Sequence, residues 1–250
     1  GTGEAAAIAT LTKGPKTRAA VAVDENTQNI AKHFSKGDPN AEGVKALGED
    51  VVKSAEATDG INRDATAEKL AQSFNRDTFE KADGQKVAAF YKTVSPELDA
   101  ILKKLSPAQK KSLEVAINIY LMEALQAKDG KSPEAVAEAA KQLKDLLGAF
   151  KKDLSNPATS KEAMDFILGT IAYYGSDSEG KAQLNVALDL WNGLKDPTAR
   201  QGMAEMMGAM ANLHSKFVAD QVDKGISPKS IDFEGAWLHV NKNIQDWVAY

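Results

Sequence analysis

The positions of the prolines constrain the fold of this chain more than any other sequence feature. Seven of the eight prolines directly follow Ser, Asp or Asn, namely Pro39, Pro96, Pro107, Pro133, Pro157, Pro197 and Pro228. Such a dipeptide suits the beginning of an α-helix, because the first side chain accepts a hydrogen bond from the first turn and proline fixes φ near the helical value. The pattern therefore predicts a chain built from helices that begin at these prolines.

Two of the predicted helix starts carry a second signal. Ser106 is followed three residues later by Gln109, and Thr159 is followed by Glu162. A hydroxyl and an amide or carboxyl group at this spacing form a capping box, in which each side chain binds the backbone N–H of the other residue. We expect both pairs to cap the helices that follow them.

Apolar residues recur at helical spacing through most of the chain after residue 100. The stretches 107–128 and 162–174 are apolar on most sides, which predicts two central, buried helices. Other stretches carry one apolar face and are predicted to pack around these two, namely 133–154, 179–194, 197–224 and 233–249. The helical patterns before residue 100 are shorter and more polar.

These patterns predict an all-α fold, a single-domain bundle of about eight to ten helices with a poorly structured N-terminal tail. We assign residues 1–24 to the flexible tail and residues 25–250 to the α-helical domain. Within that domain, residues 25–94 are expected to form peripheral short helices and residues 95–250 the core bundle.

Composition excludes several classes of function. The chain contains no cysteine, so disulfides, thiolate metal sites and thiol-based catalysis are ruled out. Only four of the 31 basic residues are arginine and the net charge is −4, which disfavours a nucleic-acid partner. No apolar run approaches the roughly 18 residues of a transmembrane helix. Motifs for nucleotides, zinc and serine nucleophiles are also missing, so we predict no cofactor and no metal site.

Two glycines interrupt the predicted helix 197–224, at Gly202 and Gly208. Each costs about 1 kcal/mol relative to alanine inside a helix. Their presence indicates either a close crossing with another helix or local mobility.

A methionine-rich segment marks the predicted binding surface. Flexible thioether side chains suit irregular gaps in a core, and they also suit a surface that repacks around a partner. We favour core positions for these methionines, with an exposed binding groove as the alternative. The candidate binding residues are the four methionines of this segment together with one histidine and one tryptophan, namely Met203, Met206, Met207, Met210, His214 and Trp247. The leading hypothesis is a non-enzymatic helical protein–protein interaction module with a protein partner. An exported bacterial effector or virulence-type protein is one form of such a module, and the sequence determines neither compartment nor oligomeric state.

Two other functions stay open at this point. The first is an α-helical enzyme whose active site is not local in sequence, with His214 or His239 meeting a carboxylate from another helix. A pocket that holds one of these histidines beside an acid would support it. The second is a carrier of a small apolar ligand, which requires an internal cavity of roughly several hundred Å³.

Overall fold

The computed structural model describes residues 63–126, 133–175, 184–193 and 195–248, together with single positions between 42 and 53. These residues form eight long helices: α1 (Arg63–Ser73), α2 (Gly84–Leu102), α3 (Pro107–Gln126), α4 (Pro133–Ser155), α5 (Ser160–Gly175), α6 (Leu184–Gly193), α7 (Pro197–Asp223) and α8 (Phe233–Val248). Short 3-10 turns occupy Arg76–Thr78, Lys81–Asp83 and Pro228–Ser230. With no β-strand among the described residues, the predicted all-α fold is confirmed, while the predicted tail at 1–24 lies outside them.

The two helices predicted to be central lie in the middle of the bundle. α3 contacts α1, α2, α4 and α5, and α5 contacts α3, α4, α6, α7 and α8. The most extensive helix pairs are α5 with α7 and α2 with α4. None of the described helices combines the length and the apolar character that crossing a bilayer requires.

α3 joins two hydrophobic clusters because it is buried on most sides. Leu113 and Ile117 belong to the larger cluster, to which α2, α4, α5, α6, most of α7 and part of α8 also contribute. Val115 and Ile119 belong to the smaller cluster, which α1, α8 and the C-terminal part of α7 complete. A helix with apolar residues all round its axis can fill both clusters only if it lies between them.

Three of the predicted helix starts are confirmed, at Pro107, Pro133 and Pro197. At the start of α7 the Asp196 side chain caps the helix, because its Oδ1 accepts hydrogen bonds from the N–H groups of Thr198 at 2.8 Å and Ala199 at 3.3 Å. Pro39 lies outside the described residues.

Other predicted starts are wrong. Pro96 lies inside α2 rather than at its beginning. Proline has no backbone N–H, so one carbonyl of the preceding turn lacks its helical donor. Because the Pro96 ring is exposed, this carbonyl lies on the solvent side of the helix. α2 therefore crosses the predicted boundary between residues 94 and 95, and Phe90 is already part of the main core. Pro228 begins a short 3-10 turn, and Pro157 lies in the turn before α5, which begins at Ser160.

One of the two predicted capping boxes is confirmed. The N–H of Gln109 donates to Ser106 Oγ at 3.3 Å, and the N–H of Ser106 donates to Gln109 Oε1 at 3.1 Å. The other prediction is wrong, because the Thr159 hydroxyl donates to the carbonyl oxygen of Asp153 at 2.8 Å. Thr159 therefore ties the end of α4 to the following turn.

Replacing Ser106 with alanine should lower the free energy of unfolding by about 1 kcal/mol, because it removes the capping acceptor of α3. The matched control is Ser227→Ala, which changes the same Ser-Pro dipeptide where the serine makes no capping hydrogen bond. The control should change stability by less than about 0.5 kcal/mol. Urea unfolding followed by circular dichroism measures both, and equal losses would contradict the assigned role of Ser106.

At two glycines the backbone lies so close to another segment of the chain that there is no room for a side chain. At Gly169 in α5, a Cβ atom would lie 2.2 Å from the carbonyl oxygen of Met207 in α7. At Gly48, a Cβ atom would lie 2.2 Å from the carbonyl oxygen of Gly202. The glycines of α7 were expected to mark either a close crossing or local mobility, and the close crossing applies to Gly202.

Candidate functional site

A histidine and a glutamate from different helices meet in the interior of the bundle. His214 of α7 and Glu123 of α3 approach each other with 3.4 Å between Nε2 and Oε1, and each side chain is only 4% exposed. The two residues are 91 positions apart in sequence. They meet because α1 and α5 each pack against both α3 and α7 and hold these two helices side by side. The structure thus pairs one of the two candidate histidines with an acid from another helix.

A narrow cleft between α1, α3, α5 and α7 opens onto this pair. The half-buried lining residues form its mouth and have short side chains, namely Ala116, Ala172, Asn212 and Ser215. The buried lining residues, which include His214 and Glu123, form its walls and base. The cleft encloses about 520 Å³ including its open mouth, and the centres of water-sized spheres can occupy about 40 Å³. That is room for a few waters or for a small ligand.

Tyr120 forms a fixed wall of the cleft beside Glu123. Its hydroxyl donates to the carbonyl oxygen of Ala139 at 2.8 Å, and its ring lies so close to Gly175 that a Cβ atom there would sit 2.7 Å from the ring. Burial raises the pKa of the Tyr120 phenol well above its ordinary value, and the nearby carboxylate of Glu123 raises it further. Tyr120 therefore stays protonated, and the titratable groups left at the base are His214 and Glu123.

The pair places a carboxyl group beside an imidazole where there is little water. The two groups are within ion-pair distance without a hydrogen bond, because Nε2 of His214 has no hydrogen-bond partner among the described residues. Since His214 lines the cleft, its imidazole can exchange a proton with a molecule bound there. The arrangement can thus act as a general base and then as a general acid.

The other candidate histidine lies elsewhere. His239 is on α8, and its ring packs against Phe217 with 5.3 Å between ring centroids. It does not line the cleft. Its environment matches the packing role that is common for a histidine at the edge of an apolar face.

The four methionines proposed as binding residues are buried. Met203, Met206, Met207 and Met210 are each 3–4% exposed and belong to the main hydrophobic cluster. Of the two readings of this segment, the structure shows core packing against α5. The side chain of Trp247 lies outside the described part of the chain.

Sequence reasoning did not single out Glu123. It sits in the run Leu121-Met122-Glu123-Ala124-Leu125, where it is the only charged residue, and the structure leaves it 6% exposed. A charged residue is almost never fully buried without a partner. An acid flanked by apolar residues on both sides, in a helix predicted to be buried on most sides, was therefore the signal that could have found it.

A second group of acids lies where α5 meets the first half of α7. Burial raises the pKa of Glu162 and of Glu205, and the nearby Asp165 raises both further. Within the part of the chain that the structure describes, no three His, Asp or Glu side chains are grouped so that they could hold a metal ion.

Comparisons with protein-family models, with curated proteins and with solved structures find no match to this chain.

Proposed function

We propose that this protein is an enzyme that binds a small molecule in the cleft and uses His214 for general acid–base catalysis. Glu123 orients the imidazole and stabilises it when it is protonated. The observation that carries the proposal is the approach of His214 Nε2 to Glu123 Oε1, at 3.4 Å, at the base of a cleft that opens to solvent.

The cost of burying this pair supports a functional role. Removing an imidazole and a carboxylate from water is expensive, and apolar side chains of similar volume often give equal or greater stability at such a position. Apolar side chains pack well at neighbouring positions of α3 and α7, as the fully buried Leu121 and Leu213 illustrate. Titratable groups that are retained in a cleft despite this cost are candidates for chemistry.

In the proposed reaction, His214 carries a single proton from one group to another. His214 takes a proton from a hydroxyl, amine or water in the cleft as a bond to that atom forms, and it returns the proton to the group that leaves. Glu123 keeps its charge and offsets the charge of the imidazolium in between. Proton transfer by a positioned side chain typically contributes about 10²- to 10⁴-fold to the rate.

The geometry favours this function over the leading hypothesis from the sequence. A protein–protein interaction module was proposed on methionines that are buried in this structure. Among the described residues, Leu238 is the only large hydrophobic side chain that is exposed, at 45%. A single exposed leucine is ordinary for a soluble surface. The interaction module and the apolar-ligand carrier both stay predictions.

Incubating the protein with the small-molecule fraction of a cell extract, followed by mass spectrometry, should reveal at least one compound that the wild type consumes. The variant His214→Gln should consume it about 10²-fold or more slowly, because glutamine cannot exchange a proton at neutral pH. The matched control is His239→Gln, which removes the histidine packed against Phe217. This control should retain the wild-type rate.

Circular dichroism must first show that both variants are folded. Equal rates for wild type and His214→Gln would overturn the assignment of His214. If the wild type consumes no compound from extracts of several sources, the enzymatic function itself is overturned.

A further inference from the structure

We infer that the molecule bound in the cleft is a small amine with an apolar chain. This inference rests on the proposed function, because it names the class of ligand for the same site. It follows from three properties of the cleft: the charge at its base, the chemistry of its walls and its volume.

The base of the cleft favours a cation over an anion. Among the described residues that line it, Glu123 is the single acid, His214 is the single basic group, and none is lysine or arginine. The Glu123 carboxylate is buried, so an anion entering the cleft would meet a like charge with little screening by water. An ammonium group would instead gain a charge-assisted hydrogen bond there.

The buried walls of the cleft are mostly apolar, with Ser112 as a buried polar exception. α3 contributes Val115 and Ile119, and α5 contributes Leu168 and Ile171. These side chains are buried and offer no hydrogen bonds to a polar ligand. A hydrocarbon chain that extends from the head group toward the mouth would displace water from these walls and gain about 0.8 kcal/mol for each buried CH₂ group.

The volume of the cleft restricts the size of the ligand. The centres of water-sized spheres can occupy about 40 Å³ of it, which is room for a small molecule. The mouth stays open because Ala116 and Ala172 are short.

The test uses three probes at one fixed pH: n-butylamine, n-butanol and n-butyrate. The ring signals of His214 are followed by nuclear magnetic resonance on histidine-labelled protein and assigned with the His214→Gln variant. We expect n-butylamine to shift these signals in a saturable way and to bind about tenfold or more tightly than n-butyrate.

Two variants test the contacts separately. Glu123→Gln keeps the shape of the side chain and removes its charge, so the preference for n-butylamine over n-butyrate should disappear. Ala116→Leu narrows the mouth from a half-buried position, so it should weaken all probes while the fold stays intact. This second variant keeps the test informative if Glu123→Gln fails to fold.

Each result has a clear meaning. Tighter binding of n-butyrate than n-butylamine, or no effect of any probe on His214, would overturn the ligand class. The enzymatic function would survive either result, because the extract experiment measures turnover without assuming a ligand. If the amine binds but His214→Gln turns over as fast as the wild type, the ligand class stands and the catalytic role of His214 is overturned.

Discussion

Replacing His214 with leucine should lower the free energy of unfolding by about 3–5 kcal/mol. The imidazole lies 3.4 Å from the Glu123 carboxylate in a region where both side chains are 4% exposed. Without it, the carboxylate loses its neighbouring imidazole in surroundings that solvate a charge poorly. The loss should appear as an earlier midpoint in urea unfolding, followed by circular dichroism.

The double variant Glu123→Met, His214→Leu is the control for this prediction. It replaces both polar partners with apolar side chains, so no charge is left buried at the site. We expect it to be more stable than His214→Leu alone by about 2 kcal/mol or more, because exchanging a whole buried pair for apolar residues is often neutral. A double variant less stable than the single variant would show that the pair itself is needed for folding.

The second large effect is expected at Gly169. Replacing it with alanine places a Cβ atom 2.2 Å from the carbonyl oxygen of Met207, whereas ordinary contacts begin at 3.4 Å. Helices α5 and α7, which form the most extensive helix pair among the described residues, would have to move apart by about 1 Å. Overpacking of this kind should lower the free energy of unfolding by about 2–3 kcal/mol, even after the gain in helix propensity.

Gly148→Ala is the matched control, since it makes the same substitution inside a helix where there is room. A Cβ atom at Gly148 of α4 would lie 3.7 Å from the side chain of Glu97, which is an ordinary contact. Alanine should therefore raise the free energy of unfolding there, by up to about 1 kcal/mol. Urea titrations of the two variants give the comparison, and a stabilised Gly169→Ala protein would refute the close approach of α5 and α7.

Most of the fold could be predicted because its signals are local. The proline that follows a capping residue and the spacing of apolar residues both act within a few turns of one helix. Predicted stretches such as 133–154 and 197–224 therefore agree closely with α4 at Pro133–Ser155 and α7 at Pro197–Asp223. The choice of α3 and α5 as central helices had the same source, because a helix apolar on most sides must be surrounded.

The errors arose where a local pattern has two structural outcomes. A serine before proline can begin a helix or sit inside one, and Pro96 is tolerated within α2 because its ring is exposed. A methionine cluster can be core or surface, and only the approach of α5 to Met207 shows which holds. The candidate site was half predicted: His214 was named, but its partner Glu123 depends on how α1 and α5 place α3 beside α7.

Helix α7 is unbroken over 27 residues. It carries both Gly202, which makes the close contact with Gly48, and His214, the candidate catalytic residue. Gly202 lies near its beginning and His214 lies three turns later. Each residue added to or removed from a helix rotates everything beyond it by about 100°. An inherited insertion or deletion between these two positions would therefore turn His214 away from Glu123 while Gly202 stayed in place. In proteins that descend from a common ancestor with this chain, changes of length should be confined to the connections between helices, and the spacing from Gly202 to His214 should stay constant.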